Sequence, residues 1–204
     1  HPQKHILTAK NAPLHPIQKS GHGDIVTTPD GTPYLVFLMS RPQTQKRRSI
    51  LGRETGIAEC EWRADEWLYV KGGPLPPVET EVPGSFDAAG FMAEKVYAFS
   101  PDAPLHTDFQ WLRTPVTDRI FSLTARPGAL RLYGREAIGS WFEQALVARR
   151  QTHFDYTAST VLEFAPGNER EMAGLTAYYG RHAFVYLHVS ADTDGTRQLL
   201  LKGA

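Results

Sequence analysis

Two hundred and four residues suffice for one large domain or two small ones. With 41% hydrophobic and 11% aromatic residues there is material for a core, which excludes a disordered chain. The 22 basic and 22 acidic side chains cancel, so no general field draws in nucleic acid or an anionic membrane surface. Neither partner is expected, and no run approaches the roughly 18 consecutive apolar residues of a membrane helix. The single cysteine, Cys60, excludes an internal disulfide framework and a cysteine-rich zinc site. The chain opens His1-Pro2-Gln3-Lys4 with no Met and no leader pattern. The natural start is therefore expected upstream; the compartment is left open, with the cytoplasm as the default.

Short extended segments separated by turn residues predict an all-β protein. Asp24 to Thr28 and Tyr34 to Met39 flank Pro29-Asp30-Gly31-Thr32, where Pro presets φ and Gly supplies positive φ, so a hairpin is predicted. A second pair runs from Gly56 to Trp62 and from Trp67 to Val70 around a turn at Arg63 to Glu66. The stretch from Gly72 to Gly84 holds four prolines and three glycines, which suits neither a helix nor a central strand. It reads as an extended linker, with loose chain continuing to about Asp108. Strands are predicted at Phe109 to Thr114, Ile120 to Thr124, Ala129 to Tyr133, Phe142 to Arg149 and Phe154 to Phe164. Three more follow at Met172 to Tyr179, Ala183 to Ser190 and Gln198 to Leu201, the last two joined by a turn at Asp192 to Gly195. Phe154, Tyr156 and Ala158 alternate with polar residues, so that strand should show one face to water. Phe184-Val185-Tyr186-Leu187 is apolar on both faces and should be central. Glu136 to Arg150 fits a helical period almost as well as a strand; Gly139 and Ser140 favour strand.

Four features could carry chemistry. His22 lies between Gly21 and Gly23, where backbone freedom lets an imidazole reach a ligand or a metal's hydration shell; a turn histidine bonded to backbone is the plainer alternative. Arg53, in Leu51-Gly52-Arg53-Glu54-Thr55, offers a planar fork suited to sugar hydroxyls or a carboxylate, against an ordinary Arg53–Glu54 surface arrangement. His1, His5, His15 and His22 do not place three ligands on one element, so no zinc site is expected. Lys46-Arg47-Arg48 and Arg149-Arg150 read as solvated charge. No P-loop, dinucleotide fingerprint or nucleophile elbow is present.

Gly21-His22-Gly23-Asp24-Ile25-Val26 with Pro29-Asp30-Gly31 and Tyr34-Leu35-Val36, and Leu51 to Thr55 with Glu61-Trp62, resemble the late-blade region of glycoside hydrolase family 43 β-xylosidases. Phe109-Gln110-Trp111-Leu112-Arg113-Thr114-Pro115, Leu130 to Gly134, Phe142 to Gln151, Met172 to Leu175 and Tyr178-Tyr179 resemble the C-terminal concanavalin-like sandwich of such enzymes. The resemblance implies a partial five-bladed β-propeller over residues 1–82, with a linker from about 72, and a β-sandwich over 83–204. It implies removal of xylose from the non-reducing end of β-1,4-xylo-oligosaccharides with inversion, or the action of an α-L-arabinofuranosidase on the same scaffold. Inversion requires two carboxyl groups roughly 6.5–9.5 Å apart.

By the resemblance, the family's three carboxylates precede this chain and none falls on Asp24, Asp30 or Glu54. No catalytic residue is therefore expected here, and the fragment alone should be inactive. His22 matches a propeller-centre histidine that contacts sugar or a calcium ion and its waters, and Arg53 a substrate-binding arginine. The remaining propeller segments are the implied partner, a homo-oligomer is left open, and the family's pocket-closing loop is expected beyond Ala204. The rival outside enzymes is a non-catalytic carbohydrate-binding or scaffold module, with Trp111, Trp141, Tyr178 and Tyr179 as candidate stacking faces.

Overall fold

Thr28 and Thr32 close the first hairpin as the turn residues predict: the Thr28 N–H donates to the Thr32 carbonyl at 3.0 Å, and Gly31 takes φ 90°. The Asp30 carboxylate accepts from the Thr28 hydroxyl and, at 3.2 Å, from the Thr32 N–H. Those bonds, the Thr28 hydroxyl's first, hold its pKa below the usual carboxylate range. The computed structural model describes residues 5–43 and 46–204, so His1 lies outside the described residues. The described residues divide into two units, one running to Ala93 with Thr152–Phe154, the other comprising Glu94–Gln151 and Asp155–Ala204.

In the first unit β1 (Gln18–Thr27), β2 (Pro33–Ser40), β3 (Glu54–Trp62) and β4 (Leu68–Val70) pair antiparallel in that order. Both predicted hairpins are present. A four-stranded antiparallel sheet is the form of a single propeller blade. Alternation places Leu35 and Phe37 of β2, Ala58 and Cys60 of β3 and Leu68 and Val70 of β4 in one buried cluster, completed by Leu7. Phe37 faces Gly56 across the ladder, and a Cβ on Gly56 would stand 2.6 Å from the Phe37 ring, so the glycine makes room for the aromatic. The Pro- and Gly-rich segment lies against this unit. Pro76 is fully buried, the Pro74 carbonyl accepts from the Thr8 N–H at 2.7 Å, and the Tyr34 hydroxyl donates to the Glu81 carbonyl at 3.3 Å. Beyond it a one-turn helix, α1 (Ala88–Met92), which the sequence reading did not anticipate, is capped by Asp87 accepting from the Gly90 N–H at 2.9 Å.

The second unit contains β5 (Phe109–Trp111), β6 (Phe121–Ser122), β7 (Arg131–Leu132), β8 (Val147–Arg149), β9 (Ala173–Gly180), β10 (Ala183–Ala191) and β11 (Arg197–Gly203). β5 pairs with β8 and β6 with β7, while β10 is central in the three-stranded sheet β11-β10-β9. The central position expected for Phe184 to Leu187 is met. Phe184, His188 and Ser190 on one face of β10 are buried. On the other face Leu187 lies between Leu175 and Leu201, and Val189 pairs with Leu199. Leu187, Leu199 and Leu201 are 43%, 68% and 71% exposed.

Two predicted strands are corrected. Residues 155–164 form no strand, because their alternation meets no ladder partner, and a strand's backbone groups need one. Of Phe142 to Arg149 only Val147–Arg149 is extended, and the helical alternative is also absent. The buried Gln144 amide instead donates at 2.7 Å to the carbonyls of both Ile138 and Ser140, tying this stretch into a loop. Among the described residues no helix is long and apolar enough to cross a membrane.

Burial pushes the Cys60 thiol pKa up, so alkylation should fail in native protein and proceed on unfolding, as mass spectrometry along a urea series would show. At Gly174 an added Cβ would lie 2.0 Å from the Leu187 carbonyl oxygen. Gly174→Ala should lower unfolding free energy by about 1–3 kcal/mol in chemical denaturation, whereas Gly180→Ala, with open space, serves as the mild comparison.

Candidate functional site

Between Gln18 and Asp24 of β1 the chain advances six residues while its partner β2 advances only from Ser40 to Val36. Two register shifts absorb the excess, one on either side of Gly21. Each contains a non-glycine residue in the left-handed region, Lys19 at φ 53° and His22 at φ 49°. Such bulges bend a strand and re-aim its side chains. Gly23 lies in the second, where a Cβ would come within 2.9 Å of the Val36 carbonyl oxygen. A side chain there would push β1 off β2.

The bulge opens onto a cleft of about 450 Å³ lined by His22, Gly23 and Asp24 of β1, Val36, Phe37 and Leu38 of β2, and Arg53, Glu54 and Thr55 at the start of β3. His22 and Arg53, which the sequence singles out separately, thus line one cleft. His5 is exposed, and the His15 Nδ1 accepts from the Ile17 N–H at 3.2 Å. Among the described residues no group of three or more His, Cys, Asp or Glu side chains could hold a metal ion.

The charges in the cleft are already engaged. Glu54 pairs with Arg41, not in the surface arrangement with Arg53 that adjacency suggests: Arg41 Nε donates to both carboxylate oxygens at 3.1 and 3.2 Å, and a terminal nitrogen to Oε1 at 2.6 Å. The Glu54 side chain is only 17% exposed. Its hydrogen bonds raise the Arg41 pKa further, against a smaller opposing effect of burial. Asp24 Oδ1 accepts from the Ile25 N–H at 2.8 Å. An imidazole, a guanidinium, hydroxyl-sized polar groups and an apolar floor suit a neutral polyol. Arg41 escaped sequence reasoning, since it belongs to no motif; its signal was its place directly after β2, the strand that pairs with the one beginning at Glu54.

The aromatic candidates of the second unit differ in their surroundings, and Trp111, Trp141 and Tyr179 all keep exposed surface. The Trp111 indole donates to the Thr114 carbonyl at 3.0 Å and meets Phe121 edge-on, and Tyr178 stacks on Phe184. Trp141 is covered by the Arg181 guanidinium at 3.6 Å from the ring centroid, while Tyr179 is exposed. Of the basic runs, Arg47 donates to the carbonyls of Pro13 and His15 at 2.9 Å, and Arg149 lies 3.9 Å from the Asp108 carboxylate.

Residues 1–68 match the family model for glycosyl hydrolases family 43, and residues 97–203 that for the beta xylosidase C-terminal concanavalin A-like domain. The chain is 58% identical over 201 residues to a xylosidase/arabinosidase 43B of Humicola insolens, covering 98% of this chain and 37% of that protein. It is 40% identical over 211 residues to a beta-xylosidase of Bacillus subtilis, covering 98% of this chain and 39% of the relative. The crystal structure of a xylan beta-1,4-xylosidase from Bacillus halodurans superposes with a TM-score of 0.79 at 34% identity, over 98% of this chain and 38% of the other. The chain thus spans less than two fifths of the length of these relatives.

The left-handed backbone at His22 carries its own test. His22→Gly should exceed His22→Ala in unfolding free energy by about 1 kcal/mol, because only glycine adopts that conformation without strain. Urea midpoints of the two variants compare them directly.

Proposed function

The chain belongs to glycoside hydrolase family 43, and from that membership we propose that it is the C-terminal part of an enzyme releasing xylose from the non-reducing end of β-1,4-xylo-oligosaccharides. The observation that carries the reading is the meeting of His22 and Arg53 in one cleft of the sheet that matches the family model. Arg53 binds sugar hydroxyls through its fork of donors, and His22 offers the cleft a ring nitrogen from a backbone held by the bulge. The proposed reaction inverts the anomeric carbon: one carboxylic acid protonates the leaving oxygen while a carboxylate on the other face activates water. Within this chain Glu54 is held by Arg41, and Asp24 accepts from the Ile25 N–H. In this reading acid and base come from a part of the enzyme outside these residues, and the 204 residues alone do not turn over.

Calcium enters only as an ion near His22 in the whole enzyme. Calcium takes six to eight oxygen ligands, backbone carbonyls and waters among them, and among the described residues no group of three or more His, Cys, Asp or Glu side chains is placed to contribute. No step here depends on the ion. The name of the Humicola insolens relative, a xylosidase/arabinosidase, supports α-L-arabinofuranoside as the alternative substrate.

Assay of a full-length enzyme carrying this sequence against aryl β-xyloside and aryl α-L-arabinofuranoside decides between the substrates. Arg53→Met should lower kcat/KM on the preferred one by at least roughly tenfold, the scale of a lost charged hydrogen bond. Proton NMR of the first-formed sugar should show the inverted anomer. Hydrolysis of either glycoside by the isolated 204 residues would overturn the assignment of acid and base elsewhere.

A further inference from the structure

Arg41 follows directly on β2 and faces two ways. On one side its fork holds Glu54, a residue of the cleft wall, through the three hydrogen bonds of 2.6–3.2 Å described above. On the other, its guanidinium carbon lies 4.9 Å from the centroid of the Phe154 ring. Phe154 ends the tripeptide Thr152–Phe154, which belongs to the first unit although the residues before and after it belong to the second. The preceding His153 is anchored separately: its ring lies 4.6 Å from that of Phe91, and its Nε2 is 3.2 Å from the Met92 sulfur. The tripeptide is thus held at one end by α1 and at the other by Arg41.

We infer that Arg41 is a positioning residue, whose guanidinium joins the cleft-wall carboxylate of Glu54 to the Phe154 ring and so sets the place of Thr152–Phe154 beside the cleft. A planar cation is needed for both contacts together. The edge of the guanidinium makes the paired bonds to carboxylate while its face covers an aromatic ring; a lysine ammonium has neither edge nor face. The inference rests on the sugar-cleft reading for its kinetic consequence. Arg41 touches no reacting atom, so its loss weakens substrate binding in ground and transition states alike, raising KM with kcat little changed.

The test uses a full-length enzyme carrying this sequence, with Arg41→Met, Arg41→Lys, Phe154→Ala and the double variant Arg41→Met/Phe154→Ala. Hydrogen exchange of a peptide spanning Thr152–Phe154 should accelerate several-fold in both Arg41 variants, with the centre of β3 unchanged. KM for the aryl glycoside should rise several-fold with kcat within about twofold, by the binding argument above. Exchange at 152–154 in the double variant should be no faster than in Phe154→Ala alone. Unchanged exchange at 152–154 in the single Arg41 variants, full rescue by lysine, or an additive acceleration of that exchange in the double variant would each overturn the role. Where Arg41→Met does not fold, Arg41→Lys carries the same comparison. Failure of the sugar-cleft reading appears separately, as an Arg53→Met enzyme with unaltered KM, and leaves the exchange result to decide the place of Arg41.

Discussion

The arrangement of the first unit depends on a mismatch in strand length. β1 uses two more residues than β2 to cover the same stretch of ladder between Gln18–Ser40 and Asp24–Val36. Without the surplus, period-two alternation would run unbroken along β1 and continue the pleat of β2. The surplus is stored as two bulges, and the second turns His22 toward the cleft while Gly23 permits the close approach of β2. The local strain of non-glycine residues at positive φ is tolerated because β1, at the sheet edge, is held on either side of the bulges by its pairing with the buried β2. Cleft position and backbone irregularity are thus one event.

The same sheet shows how a charged residue can serve a cleft without being a ligand for anything in it. The Arg41–Glu54 pair spans the ladder at the ends of β2 and β3 and keeps a half-buried carboxylate compensated. A pair of this kind, with a bidentate fork and limited exposure, is worth more than the usual surface ion pair. It also leaves the guanidinium face available to an aromatic ring, which links a residue near position 41 to one beyond position 150.

Elements with strong local codes were legible from the sequence. Pro29-Asp30-Gly31 and the paired apolar runs around it specify a hairpin by turn chemistry alone, and the second pair, Gly56 to Trp62 with Trp67 to Val70, likewise pairs as its turn predicts. The failures share a cause. Residues 155–164 alternate correctly, yet a strand exists only if a neighbour offers its backbone, and that information is not local. Glu136 to Arg150 divides between two periods because neither governs it; Gln144 satisfies carbonyls that a strand or helix would have used. At the cleft, His22, Asp24 and Arg53 fall in motifs, whereas Arg41 owes its position to register. A one-residue change in pairing would move it away, and no composition signal marks it.

The three-stranded sheet of the second unit has a bearing on how the polypeptide behaves as a colloid. Its aliphatic face, with Leu187, Leu199 and Leu201 open to water, meets a chain whose charges sum to zero and whose pI is about 7.3. Most proteins with a sticky surface are kept apart by mutual repulsion, and near neutral pH these 204 residues contribute no net charge to it. Moving the solution a unit or two from neutrality restores a net charge, and with it the spacing between molecules, without altering a single contact within the sheet.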